Sequence, residues 1–407
     1  MEVKEVNKGL MSMHKQIIER LEQCYPEMVD LRRELHRQPE LSFEEVRTPA
    51  LIADYLERLG VEVKRNVGGR GVVGYIRGRK PGRTVALRAD FDALPIQEET
   101  GLPFASEVPG VMHACGHDGH TATLLVLAKV LMEYQDQLEG TVVLIHQFAE
   151  ELAPGGAIAM IKDGCLDGVD AIYGTHLWNP LPLGQIGYRP GPLMAAADRF
   201  EITVQGRGGH GAAPHETVDA IAVGAALVSN LQHIVSRNVD PVQSAVISVG
   251  SFQAGGAFNV IADSAKLVGT VRTFSKELQE QIITKIEQVT KGTCDALGAG
   301  YTYDYRKGYP AVVNEPEETR YFVGVAEELC GSETVSELEP VMGGEDFAYY
   351  LEHVPGTFFF TGAGNEAEEI VYPHHHPKFD IDERAMLVAA KLLTNMALHS
   401  LSRKQNE

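Results

Sequence analysis

Cysteine and basic residues are scarce in this chain, and both shortages exclude classes of protein. Among 407 residues there are five cysteines, an odd and low number that does not describe a disulfide scaffold and favours a reducing compartment. Lys and Arg total 36 against 56 Asp and Glu, which gives a formal net charge of −20. A general nucleic-acid binder needs a basic face, so we expect no nucleic-acid partner.

Long apolar runs are also missing. The first 16 residues carry charges throughout and contain no apolar core of a secretion signal. The longest charge-free, apolar-leaning stretch, residues 220–236, includes Ser, Asn, Gln and His, and it is too short and too polar to cross a bilayer. We therefore expect a cytoplasmic protein with no membrane partner. At 44% hydrophobic residues, the chain is nevertheless too apolar to be disordered.

What is present is a regular alternation of strands and helices. A chain of this length usually divides into two or more domains. Helices are expected within 14–60, with breaks at Pro39 and Pro49, and at 120–134 and 156–163; strands are expected at 61–64, 72–77, 84–89, 141–148 and 169–175. Strands that alternate with helices imply a mostly parallel sheet that is covered on both faces.

The pattern is interrupted in the middle of the chain. Residues 178–194 are rich in Pro and Gly and are interpreted as a crossing between domains. The next elements, expected at 199–205, 217–236, 244–252, 265–273, 276–299 and 300–305, have the order β-α-β-β-α-β of a ferredoxin-like sandwich. After residue 306 the first pattern returns, with a helix at 317–330, a strand at 356–362 and a helix after Asp382. The predicted class is α/β, with a larger domain at 1–190 and 307–407 and a smaller α+β domain at 191–306.

Reactive residues follow the predicted strands. In open α/β sheets, ligands bind beyond the carboxyl ends of the strands. Four predicted strands lead to such residues, and the segment MHACGHDGH adds a fifth group: Asp90 and Asp92; Glu150 and Glu151; His176; His374–His376; and His113, Cys115, His117, Asp118 and His120. The coincidence of all five groups is the main functional signal.

These side chains suit a divalent metal ion. Imidazole and thiolate groups beside carboxylates bind Zn²⁺, Mn²⁺, Co²⁺ or Ni²⁺. In an extended segment Cys115 and His117 share a face, and Gly116 between them lets the backbone bend tightly. Of the adjacent Glu150 and Glu151, one can bind metal while the other faces substrate. A carboxylate beside a metal-activated water is the apparatus of metal-assisted hydrolysis.

Two glycine patterns offer a different interpretation, that of nucleotide binding. Gly69-x-Gly71-x-x-Gly74 leads into a strand, whereas the dinucleotide pattern leads into a helix. Gly206-x-Gly208-x-x-Gly211 has the right context, but no acidic residue follows about 20 positions later. We therefore disfavour a nucleotide-dependent oxidoreductase.

The motifs, taken in order, resemble those of the peptidase M20 family. They are MHACGHDGH, FAEE, GTHLW, GRGGHGAAPH, FNVIADSAKLVGTVR, GGEDFAYY and HHHPKFDIDE, within residues 29–393. The resemblance points to the amidohydrolase branch, with its aminoacylases, hippurate hydrolases and auxin-conjugate hydrolases. It implies a zinc-peptidase-like catalytic domain with an inserted lid or dimerisation domain, and a homodimer or homotetramer.

The resemblance also implies a site. Two divalent metal ions (Zn, Mn, Co or Ni) per subunit are expected on residues that match the ligands of this branch: Cys115, His117, Glu151, His176 and His375. His375 is chosen from the triplet because the family places this ligand two positions before a proline, here Pro377. Glu150 matches the general base.

Other residues are expected to assist. His210 matches a lid residue that stabilises the oxyanion across a dimer interface, and Asn259 and Arg272 match contacts to the carboxylate end of the substrate. Many relatives carry His-x-Asp where this chain has Asp90-Phe91-Asp92. We expect Asp92 to orient a metal ligand.

The expected reaction is hydrolysis of the amide bond of a small molecule, an N-acyl-L-amino acid with an acetyl, benzoyl or similar acyl group. The alternative is a di-metal aminopeptidase or carboxypeptidase that acts on short peptides. A non-catalytic metal-binding or scaffold protein on the same fold is a third hypothesis, against which the full ligand set and Glu150 argue.

Overall fold

A computed structural model describes the backbone of residues 2–403 and the side chains from Met13 onward. The two predicted outer bounds, residues 1 and 407, lie outside the described residues. Within residues 2–403, no helix combines the length and the apolar composition that a membrane crossing requires.

Helices and strands alternate through most of the chain. The helices are α1 (Glu2–Arg37), α2 (Arg47–Arg58), α3 (His117–Glu133), α4 (Ala157–Lys162), α5 (Ala220–Asn238), α6 (Lys276–Leu297), α7 (Pro316–Cys330), α8 (Phe347–Leu351) and α9 (Arg384–Ser402). The strands are β1 (Glu62–Val67), β2 (Gly71–Arg77), β3 (Lys80–Asp90), β4 (Glu139–Gln147), β5 (Ala171–Pro182), β6 (Ile186–Tyr188), β7 (Gly191–Met194), β8 (Ala196–Gln205), β9 (Gly209–His210), β10 (Ala245–Ala254), β11 (Val260–Ile261), β12 (Ser264–Thr273), β13 (Gly300–Tyr309), β14 (Val312–Asn314), β15 (Val335–Glu337) and β16 (Gly356–Gly364).

The described chain divides into two compact units. The first unit contains the chain up to Leu193, Val313–Glu339 and the chain from Asp346 onward. The second unit contains Met194–Val312 and Pro340–Glu345. The inserted domain was predicted at 191–306 from the sequence pattern.

The first unit is built on an eight-stranded sheet in the order β1-β2-β4-β3-β5-β16-β6-β15. Strands β4, β3, β5 and β16 run parallel, while β1 and β2 pair antiparallel at one edge and β6 runs antiparallel to β16. Helices α3 and α9 contact β3 and each other, and α1 contacts both. The expected α/β sheet flanked by helices is confirmed, with strand directions that are mixed toward the edges.

Burial explains why the parallel strands lie in the centre. The second half of β3, from Val85 to Asp90, is entirely buried, and so is β16. Strands buried on both faces need near-continuous apolar runs rather than alternation. Nearly every residue of α3 is also buried, which places the start of this helix inside the unit.

Residues 178–194 differ from their expected role as a plain crossing. Strand β5 continues through Trp178 to Pro182, and β6 joins the main sheet beside β16. Gly184 lies between β5 and β6 with a φ of 86°, a left-handed conformation that suits glycine. Gly184 and the prolines of β5 therefore belong to a turn within the sheet, and the first unit ends only at Leu193.

One buried cation joins distant parts of the first unit. Arg32 on α1 is fully buried, and its guanidinium donates hydrogen bonds to Asp118 Oδ2 (2.9 Å), Asp380 Oδ1 (2.7 Å) and Glu383 Oε1 (3.2 Å). These carboxylates raise the pKa of Arg32 above its ordinary value against the opposing effect of burial. Residues from α1, the start of α3 and the segment before α9 thus share one ionic cluster.

The second unit has the expected β-α-β-β-α-β order. Its sheet, β10-β12-β8-β13, is antiparallel throughout, and α5 and α6 contribute one layer of the core. The side chain of Asp219 caps α5 by accepting from Ile221 N, and Ser275 caps α6 by accepting from Leu278 N. Short polar residues at these positions therefore explain where both helices begin.

Candidate metal centre

The parallel strands of the first unit bring acidic residues together. Asp90 is the last residue of β3, and Glu150 and Glu151 follow the neighbouring strand β4. His176 lies on β5, which pairs with β3 on its other side. We expected His176 at the end of its strand. It lies instead within β5, which continues for six more residues, to Pro182.

Cys115 and His117 are placed by the start of α3. His117 is the first residue of the helix, and Gly116 before it has a φ of 92°. This left-handed backbone favours glycine and turns the chain between the two side chains. Both side chains are buried, with 8% of Cys115 and 1% of His117 exposed.

Asp92 orients His117. The Nδ1 of His117 lies 3.0 Å from Asp92 Oδ1, to which it donates a hydrogen bond. The second oxygen of Asp92 accepts from Ser42 Oγ (2.7 Å) and from the backbone N of Glu151 (2.9 Å). Both carboxylate oxygens are therefore engaged by protein groups, and His117 presents its other nitrogen, Nε2, to the cluster.

The remaining donors lie around His117 Nε2. This atom is 3.9 Å from Glu151 Oε1 and 4.0 Å from Glu150 Oε2. Cys115 Sγ is 3.4 Å from His176 Nε2, and His375 Nε2 is 3.3 Å from Glu151 Oε2. The structure thus places all six residues expected as metal ligands or base in overlapping groups with donor atoms within 4.8 Å of one another.

The chemistry of these donors fits divalent metal ions. His117 Nε2 and Glu151 Oε1 are buried and have no hydrogen-bond partner among the described groups. Burying such polar atoms without a partner is costly, and a metal ion would satisfy both. His176 donates its Nδ1 proton to Leu177 O (2.9 Å), so its Nε2 carries the lone pair that a metal needs.

The electrostatics of these side chains also favour a bound divalent cation. Burial, together with Glu151 and Glu150, holds the pKa of the Cys115 thiol well above its ordinary value. Burial lowers the pKa of His117, but Asp90 and Asp92 outweigh it and raise this pKa to about 10. In a field this negative a proton on His117 is strongly held, and a divalent cation would supply the compensating charge instead.

His120 was one of the reactive residues of the segment MHACGHDGH, but it was given no role in the predicted site. Its Nδ1 is 2.6 Å from Asp90 Oδ1, and its Nε2 accepts a hydrogen bond from Leu177 N (2.9 Å). Asp90 also accepts from Arg88 (2.6 Å). Both ring nitrogens of His120 are therefore in use, which assigns it to the support of β3 and β5. Because residues three apart on a helix share a face, the spacing between His117 and His120 on α3 could have indicated that they lie side by side.

The three consecutive histidines have different surroundings. His374 is stacked on Trp178 and its Nε2 donates to Leu177 O (3.0 Å), while His376 is stacked on Tyr372. His375 has a left-handed φ of 66°, and its side chain extends toward Glu151. The member of the triplet that the resemblance selected is thus the one that lies beside the carboxylate.

The second unit contains His210, Asn259 and Arg272. His210 on β9 pairs with Val260 on β11, and Gly211 N donates to Asn259 O (2.8 Å), so the first two are neighbours. Both are exposed. Arg272 is half-buried on β12, where it donates to Thr270 Oγ1 (2.7 Å).

The second glycine pattern has a local explanation in this unit. A Cβ at Gly206 would lie 2.2 Å from Val218 O, and one at Gly208 would lie 2.8 Å from Ile261 O. Two backbone segments approach too closely there for any larger residue. These glycines are accounted for without a nucleotide.

All five cysteines are free. Cys24, Cys165 and Cys294 are buried. Among the described residues, the groups of ligand atoms close enough to hold a metal ion contain only Cys115 of the five.

A helix-flanked α/β sheet with these donors beside its parallel strands defines a metal-dependent hydrolase. The chain belongs to the peptidase family M20/M25/M40, whose family model matches residues 86–399. This finding confirms the family that the motifs suggested.

Three relatives with printed names are similar to this chain over most of its length. The Bacillus subtilis (strain 168) protein YhaA is 59% identical over 390 residues, 96% of this chain and 98% of that protein. The N-acyl-L-amino acid amidohydrolase of Geobacillus stearothermophilus is 49% identical over 307 residues, 75% of this chain and 83% of that enzyme. Thermostable carboxypeptidase 1 of Saccharolobus solfataricus is 43% identical over 366 residues, 89% of this chain and 92% of that enzyme.

A solved structure extends the likeness to three dimensions. The crystal structure of Bacillus subtilis YxeP, described as a dinuclear metal-binding peptidase of the M20 family, has a TM-score of 0.82 and 38% sequence identity. The match covers 93% of this chain and 99% of that one.

Proposed function

We propose that this protein hydrolyses the amide bond of small N-acyl-L-amino acids and releases a carboxylate and a free amino acid. The observation that carries the proposal is the group of donors on the buried Cys115, His117 and His176 and the partly buried Glu151, with the buried Glu150 beside them. The likeness to an N-acyl-L-amino acid amidohydrolase supports the substrate class.

Two divalent ions, such as zinc or manganese, would be held by the proposed ligands: Cys115, His117, Glu151, His176 and His375. When bound, such ions supply Lewis acidity, which acidifies a water molecule and polarises a carbonyl group. The mixed thiolate, imidazole and carboxylate donors suit these metals better than magnesium or calcium.

Glu150 is the proposed general base. Its side chain is only 7% exposed and lies 4.0 Å from His117 Nε2, at the edge of the proposed ligands. In this role its carboxylate accepts a proton from the attacking water and then delivers that proton to the leaving amine. We propose that His210 stabilises the oxyanion across a dimer interface and that Asn259 and Arg272 contact the substrate carboxylate.

A peptidase activity is the second candidate, favoured by the likeness to a carboxypeptidase. The two kinds of substrate differ in the acyl portion of the cleaved bond. In an N-acyl amino acid it has no free amine, whereas in an unblocked dipeptide it carries a free α-amino group. N-acetyl and N-benzoyl amino acids should be hydrolysed faster than unblocked dipeptides of the same C-terminal residue. A preference for the unblocked dipeptides would favour the peptidase.

Metal dependence is tested in the same assay. Treatment with a chelator should abolish turnover, and addition of Zn²⁺, Mn²⁺ or Co²⁺ should restore it, with metal content measured on the same samples. Turnover that persists in metal-free protein would contradict the proposal.

The role of Glu150 is tested by Glu150→Gln. The variant keeps the side-chain volume but loses the basic oxygen, so it should retain bound metal while turnover falls by about 10²-fold or more. Near-normal turnover would exclude Glu150 as the base.

A cytoplasmic location and a homodimer or homotetramer complete the proposal. The location is supported by the five free cysteines, since a thiol ligand at Cys115 is best preserved in a reducing compartment. The oligomeric state is tested by light scattering.

A further inference from the structure

The segment between α1 and α2 reaches the metal centre, although none of the motifs includes it. Ser42 Oγ donates to Asp92 Oδ2 (2.7 Å), and the rings of Phe43 and Phe148 pack edge to face with centroids 5.8 Å apart. Glu45 Oε1 accepts a hydrogen bond from Ala149 N (2.9 Å). Three residues within a run of four thus contact the two residues that precede the proposed base and the carboxylate that is bonded to His117 and Glu151.

Ala149, the residue immediately before Glu150, has an unusual backbone. Its φ is +50°, in the left-handed region that non-glycine residues rarely adopt because the Cβ crowds the backbone. Such a conformation persists only where the surrounding structure enforces it. The enforcing contacts must therefore be sought around this residue.

Those contacts hold the backbone on both sides of Glu150. Ala149 N donates to Glu45, and Ala149 O accepts from Gly156 N (3.1 Å). On the other side, Glu151 N donates to Asp92 Oδ2 (2.9 Å). Glu150 therefore stands between two amide groups that each donate to a buried carboxylate.

Glu45 occupies a position that needs an explanation. Its side chain is fully buried, and Oε2 lies 3.9 Å from Arg70 Nε. A second nitrogen of Arg70 donates to the backbone O of Glu45. Burying a carboxylate is costly unless it is paired, so a residue retained here is expected to perform a function that an apolar residue would not.

We propose that Glu45 is a positioning residue that holds Ala149 in its left-handed conformation and thereby fixes the Glu150 carboxylate relative to the metal ligands. This inference rests on the proposed function. The competing view is that Glu45 only stabilises the segment between α1 and α2.

The first test is Glu45→Ala, analysed with Mn²⁺ as the metal and an N-acetyl amino acid as substrate. Loss of the acceptor should release Ala149, and displacement of a catalytic group by about 1 Å lowers kcat by about 10²-fold. KM and metal content should stay near the wild-type values. Glu45→Gln, which keeps an acceptor oxygen, should retain most of kcat.

The decisive variant is Ala149→Gly in the Glu45→Ala background. Glycine adopts a positive φ without a Cβ clash, so it should recover at least part of the lost kcat. A purely stabilising role of Glu45 predicts no such recovery. If the double variant is no more active than Glu45→Ala, or if Glu45→Ala has normal kcat, the proposal is wrong.

Glu315→Ala is the matched control. Glu315 Oε2 also accepts a single backbone hydrogen bond, from Glu318 N (2.6 Å) at the start of α7. Its removal should lower Tm and leave kcat unchanged. A comparable loss of kcat in this control would show that the assay reports general destabilisation.

Hydrogen exchange separates this proposal from the proposed function. In metal-free protein, the amide of Ala149 should exchange faster in Glu45→Ala than in the wild type and should be unaffected in Glu315→Ala. If exchange behaves in this way while the wild type hydrolyses no N-acyl amino acid, the substrate assignment fails and the positioning role stands. Unchanged exchange would overturn the positioning role whatever the substrate.

Discussion

At the scale of single residues, Asp92 combines two tasks in one buried carboxylate. One oxygen sets the orientation of His117, and the other fixes the backbone of Glu151 and engages Ser42. As a proposed metal ligand, a histidine held in this way loses little conformational freedom when it binds an ion. The sequence indicated that Asp92 orients a ligand, but only the structure shows which one.

We expect Asp92→Asn to weaken Mn²⁺ binding by about 10- to 100-fold, because the amide cannot replace both acceptor oxygens. Isothermal titration of the metal-free protein measures this change. Asp170→Asn is the control, since Asp170 also accepts a backbone hydrogen bond, from Thr84 N (2.7 Å), away from the cluster. Equal affinities in the wild type and Asp92→Asn would refute the orienting role.

The site residues differ in how much evidence for their role the sequence itself contains. Cys115 and His117 stand in a short motif whose spacing favours metal binding, whereas the choice of Glu151 over Glu150 as a ligand came from the family resemblance. His375 needed the family comparison, because three adjacent histidines are equivalent until the backbone turns at φ 66°. Glu45 carries no local signal at all, since its partner Ala149 is 104 positions away in the chain.

At the scale of elements, the spacing of apolar residues predicted most helices and strands, because the buried faces of these elements require apolar side chains. Buried strands such as β3 and β16 are continuous apolar runs, and these were recognised. The turn between β5 and β6 was misinterpreted as a linker, because Pro and Gly are typical of both. Only the pairing of β6 with β16, which is a tertiary contact, distinguishes the two.

The start of α3 makes a prediction at this scale. Gly116→Ala should destabilise the protein by about 1–2 kcal/mol, because alanine is strained in the left-handed region. The space itself would accept a Cβ, whose nearest neighbour would be Leu177 Cβ at 3.7 Å, so the cost arises from the backbone. Urea denaturation measures the free energy of unfolding, and Mn²⁺ binding should weaken in parallel.

Gly324→Ala is the control for this substitution. Gly324 lies in the interior of α7 with open space around it, so alanine there should stabilise the protein by about 0.5–1 kcal/mol. If both substitutions change stability in the same direction, the explanation based on φ is incorrect.

At the scale of the whole molecule, buried ionic clusters make stability depend on pH. Glu98 lies near the buried His36, with Oε2 3.4 Å from His36 Nε2, and accepts a hydrogen bond from Ser106 N (2.6 Å). Burial raises the pKa of Glu98, but these partners outweigh it and lower this pKa from 4.5 to about 2. For His36, burial is likewise outweighed by Asp118 and Glu98, which raise its pKa above 6.5.

The two shifts act at opposite ends of the pH range. The lowered pKa of Glu98 stabilises the fold above pH 4.5, and this contribution is lost as the pH falls toward 2. The raised pKa of His36 stabilises the fold below pH 6.5 and is lost as the pH rises through the raised value. We expect Glu98→Gln to flatten the acid side of the unfolding free energy profile.

Urea denaturation across the acid range measures that profile. Glu19→Gln, whose side chain is 55% exposed, should leave the slope near that of the wild type. An acid slope that is identical in the wild type and Glu98→Gln would show that Glu98 does not contribute.

The ionic cluster around Arg32 also has a consequence for the order in which the protein is made. Arg32 emerges early from the ribosome, whereas its partners Asp380 and Glu383 are among the last residues to be added. At usual rates of translation the interval is about 20–70 s. During that time residues 194–312 are complete, while the first unit still lacks β16 and α9. Residues 194–312 make up most of the second unit and can therefore fold first, and the metal centre is assembled only when synthesis nears its end.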